Sequence, residues 1–309
     1  MSKENTAVTK KKIKRCKEDV VFDAACFIIL TLVLFVVAYP LYWVIISSIS
    51  APSAVSSGKV LLHPIGFTLK GYAEVFKNDQ VMRGFLNSLI ITFCGVMVNL
   101  IVTLPTSYAL SRSNFSGKKP ITIFYLITML FGGGLIPTYL VIQRLQMLNT
   151  IWALILPGCL SVYNMIVART FFKSNISEEL YEAAEIDGCT QARFFFQIAL
   201  PLSKAIIAIL VLYYGVGHWN SYFSALVYIS DKAKYPLQLV LRNILITNQT
   251  ALSQTATTAA ARAALQEKQQ LIDVMKYSLI IISSIPVLVM YPLVQKHFVK
   301  GVMIGSMKG

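Results

Sequence analysis

Charged side chains are scarce in this sequence. Only 14% of its 309 residues are Asp, Glu, Lys or Arg, and 56% are hydrophobic, whereas a soluble domain carries roughly 25% charged residues. A water-soluble protein of this length needs a charged surface that this composition does not supply. The composition therefore excludes a soluble globular protein and indicates an integral membrane protein.

Residue patterns typical of metal and catalytic sites are missing as well. The three histidines lie far apart, and the five cysteines form no CxxC or CxxH pair, so neither a zinc site nor a disulfide framework is predicted. The sequence has no HExxH motif and no cluster of carboxylates within its apolar runs, which argues against an intramembrane enzyme. We expect no metal ion and no catalytic residue in this chain.

A nucleotide-binding loop is also missing. The chain contains no G-x-x-x-x-G-K-[ST] motif, because Gly117-Lys118-Lys119 lacks both the upstream glycine and the following Ser or Thr. We therefore expect the chain to bind no ATP and no other cofactor of its own.

Long windows without any charge are abundant, and six of them reach the length of a membrane span. A bilayer core of about 30 Å needs roughly 20 helical residues. The sequence predicts an all-α membrane protein with six transmembrane helices, at about 24–47, 85–110, 121–142, 151–168, 205–226 and 277–294. Residues 20–309 then form one membrane domain, and residues 1–19 form a basic segment that precedes it.

The distribution of basic residues predicts the orientation. With the N-terminus inside, 17 of the 28 Lys and Arg residues fall on the cytoplasmic side, although the external segments are longer in total. The net charge of +14 lies between apolar runs and forms no continuous stripe, so it indicates contact with membrane lipid rather than nucleic acid. We expect both termini in the cytoplasm.

Proline and glycine residues within the predicted spans, and two long segments between spans, indicate a function beyond that of a simple membrane anchor. Pro40, Pro105, Pro157 and the glycines at 132–134 interrupt predicted spans, which is compatible either with ordinary kinks or with a moving, water-lined interior. Two external segments are long enough to receive a partner from outside. The first contains a helical pattern at 71–76, and the second contains a strand-like pattern at 236–241.

The cytoplasmic stretch 174–204, here called the coupling loop, differs from its surroundings. Ser177 is a suitable N-cap for a short helix that Gly188 would end in the left-handed conformation, and Thr190 can cap a second short helix. Pro201 then opens the run into the next span. The pattern predicts two short helices joined by a glycine turn on the inner face of the membrane.

The surface of the first helix favours a protein partner. Ala183 and Ala184 allow close approach of another backbone, and Glu182 and Asp187 place carboxylates beside them, which suits a groove with a basic rim. The alternative is an amphipathic helix lying on lipid, but such helices are rich in Lys and Arg. Anionic headgroups would repel this acidic helix, so docking is favoured.

These residues carry a family resemblance. The pattern Glu182-Ala183-Ala184, Asp187-Gly188, Phe194 or Phe196, Ile198, Leu200-Pro201-Leu202 resembles the cytoplasmic "EAA" loop of binding-protein-dependent ABC importer permeases. Its place between the fourth and fifth spans is similar to that in six-helix, maltose-type permeases of the carbohydrate-uptake branch, especially those for complex saccharides. The resemblance implies the type I importer fold and the cell membrane of a Gram-positive bacterium.

The same resemblance implies a set of partners. A second, homologous permease would complete the path, two copies of an ABC ATPase subunit would bind ATP and Mg, and an extracellular solute-binding lipoprotein would deliver a sugar or oligosaccharide. By carry-over, the residues that dock to the ATPase would be Glu182, Ala183, Ala184, Asp187, Gly188, Leu200 and Pro201.

Polar residues within the spans are candidates for the substrate path. Asn87, Asn99, Tyr163 and Asn164 have the amide and aromatic groups that bind sugars, although each could instead form hydrogen bonds between helices. Two other functions remain open, an ion-coupled secondary transporter and an ABC permease for a solute that is not a sugar. An ion-coupled carrier usually has acidic groups deep in its spans, and this sequence has none there.

Overall fold

The computed structural model describes residues 17–251 and 259–306, and it describes their side chains except at 247–268, 293 and 296–306. Within these ranges every regular element is helical, which confirms the predicted all-α class. Most of the predicted basic segment 1–19 lies outside the described residues.

The helices follow one another with short connections. They are α1 Lys17–Ser48, α2 Pro52–Ser56, α3 Lys70–Lys77, α4 Asp79–Ser111, α5 Lys118–Leu130, α6 Leu135–Arg144, α7 Trp152–Ile155, α8 Val162–Asn175, α9 Glu178–Ile186, α10 Gln191–Phe194, α11 Leu200–Leu202, α12 Lys204–Trp219, α13 Phe223–Tyr228, α14 Leu237–Ala251 and α15 Ala259–Ser306. A π-helical turn, Phe195–Ala199, joins α10 to α11.

Six spans are present only if broken helices count as single crossings. Among the described residues α1, α4 and the 269–292 part of α15 are each long and apolar enough to cross a bilayer, and three bent pairs bring the number to six. The bends are 113° between α5 and α6, 52° between Trp152–Gly158 and α8, and 80° between Gln191–Leu202 and α12. The predicted spans at 121–142 and 151–168 are therefore each two helices, and they break at the glycines 132–134 and around Pro157.

The bend in the third span has a local cause. The three consecutive glycines at 132–134 add no side-chain packing, and Gly134 adopts φ +86°, a conformation that glycine reaches without steric cost. The Thr138 hydroxyl donates to the Gly134 carbonyl at 2.8 Å and starts the next helix there. A bend of 113° is larger than an ordinary kink, so α6 leaves the direction of α5.

Helix α4 occupies the centre of the bundle and packs against α8, α12 and α14. Its buried face carries small and polar residues, which let neighbouring backbones approach closely. At Gly95 a Cβ would lie 2.5 Å from His218 Nε2 on α12, so only glycine fits beneath that ring.

Polar side chains on α4 and α12 satisfy the backbone where the fourth span breaks. The Asn99 amide donates to the Gly158 carbonyl at 2.7 Å, and the Tyr214 hydroxyl accepts from the Ser161 amide at 3.2 Å while pairing with Thr103 at 2.7 Å. A break in a membrane helix is tolerated where neighbours supply such partners. The interruption around Pro157 is thus sealed by protein.

The prediction of a strand-like segment at 236–241 is wrong, because this segment lies at the start of helix α14. These residues belong to a helix that begins at Leu237, just after Pro236, a position where proline is well tolerated. Leu237 and Val240 are buried, and Leu241 and Ile244 pack against the same cluster. The spacing of three, four and seven residues is helical, and the short apolar run was ambiguous without its neighbours.

Helix α1 touches the bundle mainly through its external end. Ile46, Ser47 and Ser48 are buried, and the Trp43 ring meets Tyr277 edge-to-face at 5.1 Å. The most apolar 18-residue window of α1 is unburied by this chain. That surface is left for lipid or for another subunit.

Candidate functional site

The coupling loop folds into the predicted pair of short helices. Ser177 caps α9 by accepting from the Leu180 amide at 3.3 Å, and Thr190 caps α10 by accepting from the Arg193 amide at 3.3 Å. Gly188 lies between them with φ +74°. Each feature follows from local chemistry, because cap side chains satisfy free amides and glycine reaches positive φ easily.

An aromatic seat, made of Tyr108, Phe172, Tyr181, Phe194 and Phe195, fixes the loop to the membrane bundle. All five side chains belong to one buried cluster. Tyr181 of α9 meets Phe194 edge-to-face at 5.2 Å, and Tyr108 of α4 meets Phe195 at 5.0 Å. Buried aromatic rings contribute large apolar areas, so the seat packs α9 and α10 firmly against the ends of α4 and α8.

A charged contact reinforces this seat. Arg112, which follows α4, donates from Nη2 to Oε2 of Glu178, and the Ser113 amide donates to Oε1 at 3.1 Å. The Arg112 guanidinium also lies 4.1 Å from the centre of the Tyr181 ring, within the range of a cation–π contact. The start of α9 is therefore held to the end of α4 by three different interactions.

The environment of Glu178 favours its charged form. Partial burial alone would raise the pKa of this carboxyl. The hydrogen bonds from Ser113 and the positive charge of Arg112 lower it by more than burial raises it, so the pKa lies below its ordinary value. Glu178 is thus ionised at neutral pH and available to pair with Arg112.

The opposite side of α9 is exposed. Glu182, Ala183 and Asp187 are exposed, whereas Ala184 is half-buried against the aromatic seat. Ile186 is 87% exposed, and sequence reasoning did not select it. Its helical spacing of four residues from Glu182 and three from Ala183 is a signal that could have done so.

Leu200 and Pro201 lie apart from this exposed face along the chain. Leu200 is half-buried and packs against the cluster that contains the aromatic seat. Pro201 is exposed and occupies the first turn of α11, where a missing amide hydrogen costs little. A docking role for Leu200 and Pro201 stays a prediction, and their structural place is at the bend before α12.

Two of the candidate path residues bond within the chain. Asn87 donates to the carbonyls of Ala233 and Tyr235, at 2.8 and 3.1 Å. Asn99 is buried, and its Oδ1 lies 2.7 Å from His218 Nε2. Both amides tie helices or loops together, which is the alternative that the sequence left open for them.

The other two candidates lie side by side at the start of α8. Tyr163 is 60% exposed and Asn164 is buried. They follow directly after the break that Asn99 and Tyr214 seal. Contact with a transported solute stays a prediction for all four residues, and Tyr163 has the accessible surface for it.

Comparisons with known proteins agree over nearly the whole chain. Residues 92–302 match the family described as binding-protein-dependent transport system inner membrane component. The chain is 36% identical to the polygalacturonan/rhamnogalacturonan transport system permease protein YtcP of Bacillus subtilis, covering 93% of this chain and 98% of that protein. It is 39% identical to protein LplC of the same organism, covering 94% and 95%.

A solved structure extends the likeness to three dimensions. A bacterial ABC transporter involved in the import of the acidic polysaccharide alginate has a chain that matches with a TM-score of 0.82 and 27% identity, over 92% of this chain and 99% of that one. Together with the six apolar crossings and the acidic loop between the fourth and fifth of them, these similarities settle the family. The chain belongs to the binding-protein-dependent transport system inner membrane components and is a translocation subunit of a bacterial ABC importer in the cell membrane.

Proposed function

We propose that this chain and a second, homologous permease form the path of an importer for an oligosaccharide. The transport proteins that it resembles handle polygalacturonan and rhamnogalacturonan in one case and alginate in another, so a saccharide is the substrate class that the similarities favour. Two ATPase subunits drive the transport from the cytoplasm, and an extracellular solute-binding lipoprotein delivers the sugar.

One observation carries the coupling role. Helix α9 is held from one side by Arg112, Ser113 and the aromatic seat, and its other side offers an exposed apolar residue, Ile186, among carboxylates. A large exposed apolar side chain with a polar rim is typical of a protein contact. One face of α9 is thus free to bind a partner, and the other face is bonded to the end of α4. Movement of a docked partner would therefore be transmitted through α9 to α4.

The chain itself performs no chemistry in this proposal. Its sequence contains no phosphate-binding loop, so ATP and Mg belong to the ATPase partners. ATP-driven movement of those partners shifts the docked helices, and the helices shift the bundle between inward-open and outward-open states. Only differential affinity for the two states can drive that shift.

Tyr163 is the residue that we assign to the sugar path. Its ring is accessible, and it starts α8 beside the sealed break at Leu156–Gly158. An exposed aromatic ring can stack on the apolar face of a sugar ring while its hydroxyl forms hydrogen bonds. Asn164, next to it, would support that position from the protein side.

Crosslinking in the assembled transporter tests the docking. An Ala183→Cys variant should crosslink to the ATPase, whereas Ser174→Cys, an exposed cytoplasmic position before α9, should not. The absence of any ATPase in the purified complex, or equal crosslinking at both positions, would contradict the proposal.

Transport in reconstituted vesicles tests the substrate class. With the binding lipoprotein present, neutral and uronate-containing oligosaccharides should be compared for their stimulation of ATP hydrolysis. Stimulation by a saccharide supports the proposal. Uptake that follows an ion gradient without ATP would establish the secondary-transporter alternative, and stimulation by non-sugar solutes alone would establish the other.

A further inference from the structure

A cavity lies beside the Arg112–Glu178 contact, and two of the residues that line it, Lys118 and Lys173, have no part in the coupling role. Its volume is about 260 Å³, and it opens where three spans end at the cytoplasmic side. Ser111 is the last residue of α4, Lys118 is the first of α5, and Lys173 lies in the last turn of α8. The cavity is therefore at the depth of the inner-leaflet headgroups.

The walls of this cavity carry an excess of positive charge. Arg112, Lys118 and Lys173 line it together with a single carboxylate, that of Glu178, which leaves two positive charges in excess. Glu178 already accepts from Arg112 and Ser113.

Neither lysine forms an ion pair with a carboxylate in the part of the chain that the structure describes, although the charge of Lys118 acts on Glu178. The Lys118 ammonium donates to the carbonyls of Arg112 and Ser113, at 3.2 and 3.1 Å, and carbonyls do not neutralise it. The site is thus electrostatically incomplete without an anion.

The floor of the cavity strengthens the attraction for an anion. Phe172 and Ile176 are buried and apolar, so the dielectric constant below the cations is low and Coulomb attraction is stronger than in bulk water. A phosphate group offers several acceptor oxygens to donors that converge from different helices. Phosphates are also the anions that are concentrated at this depth.

We propose that the cavity binds a phosphate group, with Lys173 as its principal cationic ligand and Lys118 beside it. The phosphate comes from an anionic lipid headgroup of the inner leaflet or from a free phosphate in the cytoplasm. When bound, it offsets the charge excess beside Arg112 and stabilises the junction of α4, α5 and the coupling loop.

Lipid binding to the assembled transporter tests this site. The complex with its partner subunits is delipidated, titrated with phosphatidylglycerol or phosphatidylcholine, and followed by native mass spectrometry. Lys173→Gln should weaken the retention of phosphatidylglycerol about fivefold, as the loss of one basic residue near an anionic surface predicts. Lys119→Gln is the matched control, because Lys119 is exposed next to Lys118 but does not line the cavity.

The two sources are separated by inorganic phosphate. If the ligand is free phosphate, inorganic phosphate should protect the complex against thermal unfolding in phosphatidylcholine nanodiscs, and Lys173→Gln should abolish that protection. If it is a headgroup, phosphatidylglycerol alone should protect. Equal effects of the Lys173 and Lys119 substitutions, no protection by either ligand, or a crosslink from Lys173→Cys to an acidic segment of the ATPase would overturn the proposal.

Discussion

Arg112 and Glu178 lie 66 residues apart in the sequence and form an ion pair between the end of α4 and the start of α9. The contact gives α9 a further attachment to the bundle, besides the aromatic seat and the chain that continues through α10 to α12. Because α4 packs against most of the other spans, the ion pair connects α9 directly to the helix at the centre of the membrane domain.

Reversing the charges of Arg112 and Glu178, singly and together, should show whether these two side chains interact directly. Arg112→Glu and Glu178→Arg should each lower the ratio of sugar transported to ATP hydrolysed, because like charges then face each other at the clamp. The double variant should recover part of that ratio. Lys119→Glu, at an exposed position outside the coupling loop, is the control and should have little effect. Additive losses in the double variant would refute a direct coupling.

The acid dependence of this contact follows from the lowered pKa of Glu178. A carboxyl whose pKa is depressed in the folded state stabilises the protein above its ordinary pKa, 4.5 here, and loses that contribution as the pH falls through the depressed value. The difference in Tm between the parent protein and Glu178→Ala should therefore stay constant from neutral pH to the ordinary pKa and shrink only below it. A difference that vanishes already near neutral pH would exclude this assignment.

The glycine turn of the coupling loop should tolerate little change. Gly188 has φ +74° and open space around it, so Gly188→Val is disfavoured by its backbone alone, by about 1–2 kcal/mol. We expect insertion of the protein in the membrane and loss of sugar-stimulated ATP hydrolysis, with partial recovery in Gly188→Asn. Gly58→Val carries the same strain, at φ +68° with open space, on the external side, and should leave coupling intact.

The exposed isoleucine of α9 should contribute to ATPase binding. Ile186→Ala removes most of a side chain that would be buried on docking, and a buried Ile is worth about 1.5–3 kcal/mol, so the affinity of the complex should fall by tenfold or more. Leu61→Ala, at a 61% exposed position in an external segment, is the matched control. Equal affinities of the two variants, measured by co-purification at graded ATPase concentrations, would contradict the docking surface.

Close packing under His218 should be sensitive to a single methyl group. In Gly95→Ala the new Cβ would meet the His218 ring at 2.5 Å, which should destabilise the protein by about 1–3 kcal/mol, as overpacking does. Gly217→Ala, with nothing within 4 Å, should be neutral or slightly stabilising. Thermal unfolding in detergent measures both. His218→Ala removes the ring that the new methyl group meets, so Gly95→Ala should cost less stability in the His218→Ala background than in the parent protein.

Local features of the coupling loop could be predicted from the sequence. Ser177, Gly188 and Thr190 have the predicted capping and turn geometries, because these interactions join groups only a few residues apart. The apolar windows likewise indicated the all-α class, and the resemblance of residues 182–202 to the EAA loop indicated the family. The sequence predicted the third span and helix α14 less accurately. The conformation of a glycine break or of a short apolar run depends on the helices that pack around it.

The amino-acid sequence by itself determined that this protein crosses a membrane, because hydropathy acts through near neighbours in the chain, and the motif at 182–202 indicated its family. Only the tertiary structure decided that Asn99 is buried against His218 while Tyr163 is exposed, and that Arg112 reaches Glu178. Those outcomes depend on which faces of distant helices meet, and that is set by packing across separations as long as the 119 residues between Asn99 and His218.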